Sequence, residues 1–468
     1  MSFDRSVFMR LYGRRKIKTD VAEITAENVR EVIVKAMIEH EYNSNEEDYL
    51  WSYYKTKTPI LQKTKQYRTD VNNKIVEPRA KQIVEFYLGY VFGEPIQYIR
   101  RGKDESLNDE IEWLNTEMAS QDKQDLDNSL AEWMLVCGVA PRMVLPVDNG
   151  FEMYSLDPRY AFNIYYNGLG EPVVASVKYI VKDDGTRVFS VYTANRYFEL
   201  NGNDVIISEI SDEKVHAMGE PPMVEYTLNN TRMGIFEAEI TLLDALNQLE
   251  SDRVDDVQQF VDSILCILGG AITEETMAEI KETGAMSLPE GVDAKYISAA
   301  LSQGDTQTLK NDIMAAITEC TGMPNRNGGS STSDTGSAVL LRDGWEIADA
   351  KSKGIETKFK SAERQTLSKV LKLSEDILGT TLKVSDIGIQ FTRRNYEAIQ
   401  TKATVLNMML NNNKIHPELA FTHSGMFADP LAAYEMSAEY SKEVIANGSE
   451  SNIGQEKAGE ETNTEQEQ

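Results

Sequence analysis

Apolar residues between positions 235 and 268 recur at helical spacing. Ile240, Leu243, Val254, Val257, Val261, Ile264 and Leu268 share one face of a helical wheel, and Leu242, Leu246, Leu249 and Phe260 widen it. The pattern predicts one helix of about 33 residues, roughly 50 Å long. On the other side Asp244, Gln248, Asp252, Asp255, Gln259 and Asp262 follow one another at helical spacing and form a thin acidic strip. A rod with a broad apolar flank and a narrow polar strip suits packing beside copies of itself around an axis, with Val254, Val257, Val261 and Ile264 as the candidate seam. A long helix crossing one large domain accounts for the same pattern.

Upstream, helical periodicity runs over 26–40, 46–54, 74–91 and, as two acidic helices, 107–137. Near Pro141 the period changes to two. Short β-branched and aromatic runs at 142–147, 151–154, 161–165, 173–181 and 186–192 predict an antiparallel sheet, with Asp183-Asp184-Gly185 as a hairpin turn. Downstream of Gly269-Gly270 the pattern predicts a compact insert: a helix over 274–282, a strand over 285–288 and a strand over 293–297. An insert this small has no core of its own, which points to stabilisation by neighbouring copies. A helix over 305–321 ends at Gly322-Met323-Pro324, a glycine cap followed by proline. Residues 325–335 are Gly- and Ser-rich and predict a mobile polar loop between this helix and a long one over 336–378. A β segment over 383–391 and helices over 396–411 and 430–445 follow, and the Glu-rich 447–468 reads as disordered. Basic residues crowd positions 1–20, which read as a mobile solvated terminus, with a contact arm as the alternative. The fold class is α+β.

Composition narrows the function. A formal charge of −27 argues against a surface built to grip DNA, although an acidic wall lets DNA pass without holding it. The 3 cysteines lie far apart, which supports neither a disulfide framework nor a thiolate metal site. No apolar run approaches the roughly 18 residues a membrane span needs, and no apolar signal core follows the basic start. The expectation is a chain neither inserted nor secreted.

Catalytic signatures are missing. There is no phosphate-cradling G-x-x-x-x-G-K-S/T loop and no G-x-S-x-G elbow; Gly168-Leu169-Gly170 lies between strands as a turn. The 4 histidines are scattered, and paired acids such as Asp183-Asp184 and Asp255-Asp256 read as turn and solvated-helix residues. No catalytic residue, metal site or cofactor is assigned.

Several short segments, in order, resemble the portal proteins of tailed bacteriophages, of the type found in long-tailed phages of Gram-positive hosts. They are Tyr53-Tyr54-Lys55 with Pro59-Ile60, Asn72-Asn73-Lys74-Ile75, Gly89-Tyr90-Val91-Phe92-Gly93-Glu94-Pro95-Ile96, Phe236-Glu237, Leu242-Leu243-Asp244-Ala245-Leu246, Ser251-Asp252, Gly322-Met323-Pro324 and Gly336-Ser337-Ala338-Val339. Thr56 stands where that family usually has glycine. The resemblance implies a mainly helical fold: a wing over 1–234 with part of 336–395, stem helices over 235–268 and 303–321, a clip over 269–302, a tunnel loop over 322–335 and a helical crown over 396–446. It implies a homo-oligomeric ring of about twelve copies at one capsid vertex. Double-stranded DNA is driven in by a separate terminase ATPase and leaves into the tail. The implied partners are the terminase large subunit at the clip, scaffold and major capsid protein at the wing, and a head-tail adaptor; no membrane is implied. The protein would reside in the virion after assembly in the host cytoplasm. Asn325, Arg326, Asn327, Ser330, Ser331 and Thr332 are the implied DNA-facing residues, and Asp244, Asp252, Asp255 and Asp262 the acidic stem strip. Rival readings are another ring-forming capsid or connector protein and, from a different class, an unrecognised hydrolase.

Overall fold

The computed structural model describes residues 13–66, 69–102, 105–148, 150–202, 207–261, 264–268, 293–297, 303–324, 344–392, 399–427 and 430–442. The predicted helix over 274–282, strand over 285–288, loop over 325–335 and tail over 447–468 lie outside them. In chain order the elements are β1 (Ile17–Thr19), α1 (Val29–Tyr54), α2 (Arg79–Val91), β2 (Gln97–Arg100), α3 (Asn108–Ser120), α4 (Lys123–Cys137), β3 (Val139–Val147), β4 (Gly150–Ser155), β5 (Ala161–Tyr166), β6 (Val173–Val181), β7 (Arg187–Tyr192), β8 (Arg196–Gly202), β9 (Ile207–Val215) and β10 (Met223–Thr227). After them come α5 (Ile240–Val261), β11 (Ile264–Leu268), β12 (Asp293–Ile297), α6 (Gln303–Thr321), α7 (Trp345–Leu378), β13 (Ile387–Gln390), α8 (Ile399–Leu410) and α9 (Pro417–Ser424). A last helix, α10, covers 430–442. The chain is α+β, and it divides into two compact units, residues 1–89 with 125–379 and residues 90–124 with 380–468.

The first unit holds a six-stranded sheet in the order β1-β5-β6-β7-β8-β9, antiparallel except for the parallel β1–β5 pair. Val29, Val32, Ile33, Ala36 and Met37 of α1 repeat at helical spacing, and the alternate residues Ala175, Val177, Phe189, Val191, Phe198 and Leu200 line the sheet face they cover. His40 closes one end of this core. Its ring stacks on Phe162 at 4.2 Å, Nε2 lies 2.9 Å from the Arg159 carbonyl, and burial pushes its pKa down to about 4.

Behind this lies a three-stranded sheet, β10-β3-β4, on which α7 packs. A charged cluster pins the contact. Arg142 of β3 is fully buried, with Nη2 2.7 Å from Asp127 of α4 and Nη1 3.5 Å from Glu363 of α7. The Tyr226 hydroxyl of β10 donates to the same Glu363 carboxylate and meets Thr366 at 2.7 Å. Burial works against the Arg142 charge, but Asp127, Tyr226 and Glu363 outweigh it and raise its pKa. At the turn into β3, Gly138 has φ +81° and a Cβ there would sit 2.4 Å from the Arg232 carbonyl oxygen, so only glycine fits.

Three expectations are corrected here. The start of the chain is built in from residue 13 onward. Arg14 is buried between Glu237 (2.5 Å) and Glu46 (3.1 Å), and Arg15 is gripped through its backbone by Asn43, whose Oδ1 accepts from Arg15 N and whose Nδ2 donates to Arg15 O, each at 2.9 Å. The same Asn43 explains why the stretches read as separate helices over 26–40 and 46–54 form a single α1: its side chain faces a partner rather than ending the helix. Third, the helix predicted to reach residue 268 stops at Val261, and Ile264–Leu268 becomes β11, antiparallel to β12 with Ile264 opposite Ile297. A short apolar run fits helix and strand alike, and here the pairing partner decides.

In the second unit β2 and β13 pair antiparallel, Asn115 of α3 brackets the Tyr98 backbone by bonds of 3.0 and 2.8 Å, and Arg100 reaches Glu435 of α10 at 2.7 Å. Phe421 stacks on Phe427 at 5.2 Å beside Tyr434, which joins α9 to α10.

Candidate functional site

Helix α5 is the element on which the sequence concentrates its candidate residues, and its polar face is occupied. The chain between α1 and α2 runs along it as a strap. Asn73 N donates to Asp255 Oδ1 at 2.7 Å, Ile75 N to Ser251 Oγ at 2.9 Å and Glu77 N to Asn247 Oδ1 at 2.8 Å. The match is geometric. An extended chain repeats every two residues at about 6.6 Å, and four residues of helix rise about 6 Å, so alternate N–H groups of the strap meet acceptors one helical turn apart. Ordinarily such N–H groups would need a neighbouring strand.

Asp255 is the centre of the seam. It is 1% exposed, its Oδ2 lies 3.0 Å from Lys63 Nζ and 2.5 Å from Lys65 Nζ, and Asn73 Nδ2 adds a bond of 2.7 Å to Oδ1. Burial pushes its carboxyl up, but the bonds from Lys65, Asn73 and Lys63 prevail and hold it at about 2. Asp252 shares Lys63 at 2.7 Å from the rim. Further up, Asp244 accepts from the Tyr53 hydroxyl at 2.8 Å, and the Tyr53 ring stacks against Phe236 with centroids 6.0 Å apart. Glu237 follows with its buried Arg14 partner and takes the Gly234 N–H at 2.8 Å.

The acidic strip expected as an open, solvated face is therefore, at Asp252 and Asp255, the surface on which the subunit's own strap docks, and at Asp244 a partner of Tyr53 of α1. Asp262 lies outside the described residues. Several of the segments that carry the resemblance are the halves of this seam: Tyr53-Tyr54 with Asp244, Asn72-Asn73-Lys74-Ile75 with Ser251-Asp252. Sequence reading missed Lys63, Lys65, Asn247 and the acceptor role of Ser251. The one available signal was the small polar residues Asn247 and Ser251, one turn apart and one turn before Asp255.

The apolar side differs. Val254 and Val257 remain 40% and 44% exposed. Val261 ends α5, and Ile264 sits in β11 rather than on the helix, so the four candidate seam residues do not form one helical stripe. Helix α6 runs antiparallel beside α5, with Arg253 Nη1 2.9 Å from Gln307 and Lys310 Nζ 2.8 Å from Glu250. Asn325, Arg326, Asn327, Ser330, Ser331 and Thr332 lie outside the described residues. The ends that flank them are described: α6 closes at Gly322 (φ +69°), with Gly322 N bonded to Glu319 O at 3.2 Å and Met323 N to Thr318 O at 3.1 Å, and α7 opens after Gly344.

Among the described residues no group of three or more His, Cys, Asp or Glu is placed to hold a metal ion, and no helix is long and apolar enough to cross a membrane.

A family model described as phage portal protein, SPP1 Gp6-like, matches residues 35–446. No curated protein matches the chain. Among solved structures, the chain is similar to the neck of an empty gene transfer agent particle computed with C6 symmetry, at 13% identity and TM-score 0.48 over 75% of this chain and 91% of that one. The neck of the native particle computed with C12 symmetry gives 12% identity and TM-score 0.46 over 75% and 91%, and the virion of the native particle 12% and 0.44 over the same shares.

Proposed function

The chain belongs to the SPP1 Gp6-like family of phage portal proteins and is a subunit of the ring through which DNA passes at one capsid vertex, and on that premise we propose how its parts divide the work. The observation that carries the reading is the match of one portal family model from residue 35 to residue 446. Helices α5 and α6 form the stem of a ring of about twelve copies. Residues 269–302 form the clip, where the terminase large subunit docks. The wing meets scaffold and major capsid protein, 396–446 form the crown, and a head-tail adaptor closes the assembly, which is built in the host cytoplasm before it becomes part of the virion. Energy comes from the terminase, and no catalytic step falls to this chain.

Two observations support the stem assignment. Asp244 and Asp255 of α5 are engaged within the subunit, and Val254 with Val257 is left uncovered. Uncovered valines one turn apart beside an antiparallel partner helix suit lateral packing against a second copy. We expect Val257→Asp to yield monomers and broken rings in sedimentation velocity, because a carboxylate forced into a closed seam is desolvated without a partner. Intact rings from this variant and from Val254→Asp would remove the seam from this face.

Residues 325–335 face the DNA path in this reading. Contacts to phosphate and sugar carry no sequence information, and a single Arg in this segment of each subunit, in a ring of net negative charge, favours sliding over binding. Arg326→Glu is expected to assemble normally and to package less DNA, measured as full-length genome protected in infected-cell lysates. A full genome packaged at the normal rate would remove Arg326 from the DNA path.

A further inference from the structure

The C-terminus of α6 leaves four backbone carbonyls without intrahelical donors, as every helix does. The Schellman turn at Gly322 satisfies the carbonyls of Thr318 and Glu319. Those of Cys320 and Thr321 remain, and two side chains from elsewhere in the chain complete them. Tyr87 of α2, fully buried, donates its hydroxyl to Thr321 O at 2.7 Å. Lys351, on the second turn of α7, donates Nζ to Cys320 O at 3.3 Å and lies 5.9 Å from the centroid of the Tyr87 ring. An ammonium at a helix C-terminus also opposes the partial negative charge of the helix dipole.

The packing around these bonds is tight. A Cβ at Gly322 would lie 3.1 Å from Tyr87 Oη, 3.3 Å from Lys351 Cδ and 3.4 Å from Ile347 Cγ2. Phe86, next to Tyr87, packs its ring on that of Trp345, the first residue of α7, with centroids 6.1 Å apart. Thus α2 touches the last turn of α6 through Tyr87 and the first turn of α7 through Phe86, and Lys351 joins the last turn of α6 directly to the second turn of α7.

We propose that Tyr87 and Lys351 are positioning residues that clasp the end of α6 to the start of α7, so that the chain between Pro324 and Gly344 leaves from and returns to one fixed platform on α2. The proposal rests on the reading of residues 325–335 as facing the DNA path. Force applied there by moving DNA is delivered to α2 as a unit instead of separating α6 from α7. Each part has a stated role: the Tyr87 hydroxyl and the Lys351 ammonium cap the two remaining carbonyls, and the aromatic pair Phe86–Trp345 holds the other side.

The test uses full-length assembled rings carrying Tyr87→Phe, Lys351→Met or Lys351→Arg. Tyr87→Phe removes one oxygen from a ring that otherwise keeps its packing. Hydrogen exchange is read at the amides of Gly322 and Met323, and at Ile347 and Ala348, which bond to the Gly344 carbonyl. Loss of one such bond is expected to speed exchange there about tenfold in Tyr87→Phe and Lys351→Met, with β7 unchanged. Lys351→Arg, which keeps a cationic donor, is expected to restore protection. Exchange within twofold of the natural protein in both deletion variants overturns the clasp. DNA packaging by phage carrying Tyr87→Phe is the second arm. Faster exchange with less packaged DNA supports the whole proposal, whereas faster exchange with normal packaging keeps the clasp and overturns the DNA-facing reading of the segment.

Discussion

Replacing Arg142 by alanine is expected to destabilise the larger unit by about 3–5 kcal/mol, the cost of removing one partner from a buried ion cluster. The guanidinium is fully buried, and without it the Asp127 and Glu363 carboxylates both lose their Arg142 cation, while Glu363 keeps the Tyr226 hydroxyl. Replacing Arg142, Asp127 and Glu363 together by apolar residues of similar volume is expected to recover most of the loss, because the desolvation of the charges disappears with them. Urea unfolding of the three single variants and the triple variant measures both effects. A single variant within about 1 kcal/mol of the natural protein would mean that the cluster is idle, since that is the range of an exposed pair.

The second large effect is expected at Asp255. Asp255→Ala leaves Lys63 with Asp252 alone, Lys65 without its carboxylate and the Asn73 N–H without an acceptor, at a cost of roughly 3 kcal/mol. The pH dependence has a definite sign. The folded carboxyl sits at about 2, below its value of roughly 3.9 in an unfolded chain, so its contribution is complete above about pH 4 and is lost as pH falls through 2. The gap in unfolding free energy between the natural protein and Asp255→Ala should therefore be constant from pH 7 to about pH 4 and shrink below it. Asp252→Ala, which removes a half-exposed carboxylate, is expected to cost under about 1 kcal/mol. Equal losses from the two variants would show that Asp255 is not the centre of the seam.

Much of the fold was legible because it follows from local pattern. Strands β3 to β7 alternate or run apolar between turn residues, and Asp183-Asp184-Gly185 closes β6 on β7 as expected, with Asp184 Oδ1 accepting from Thr186 N at 2.8 Å. Strand β9, Ile207–Val215, was not legible: it is an edge strand, and its sequence Ile-Ser-Glu-Ile-Ser-Asp-Glu-Lys-Val has few apolar positions to betray a buried face. Its neighbour β8 passes unseen for a related reason, since only Phe198 and Leu200 among its residues are buried apolar side chains.

The candidate site divides in the same way. That Asp244, Asp252 and Asp255 share a helical face follows from spacing alone. What faces them does not, because the strap reaches α5 from about 180 positions earlier in the chain, and periodicity carries no information about partners that distant. Acidic residues at helical spacing read as solvated for want of a visible cation, yet Lys63 and Lys65 were in plain sight without a register. The error at the end of α5 has the opposite origin. Ile264 to Leu268 continues an apolar pattern well enough to extend the helix on paper, and only β12 reveals the change of period.

The buried pair between Arg14 and Glu237 also sets an order of events during synthesis. The two residues are separated by 223 positions, and β1 finds its parallel partner β5 only at residues 164–166. While the ribosome is still making the sheet, the beginning of the chain has neither its strand partner nor its counter-charge. The hairpins β6–β7–β8 rely on nearer contacts, β1 can pair once β5 has emerged, and the buried Arg14 waits longest, for Glu237 just ahead of α5. A nascent chain thus gains the counter-charge for its buried Arg14 only when the residues that lead into α5 are already present.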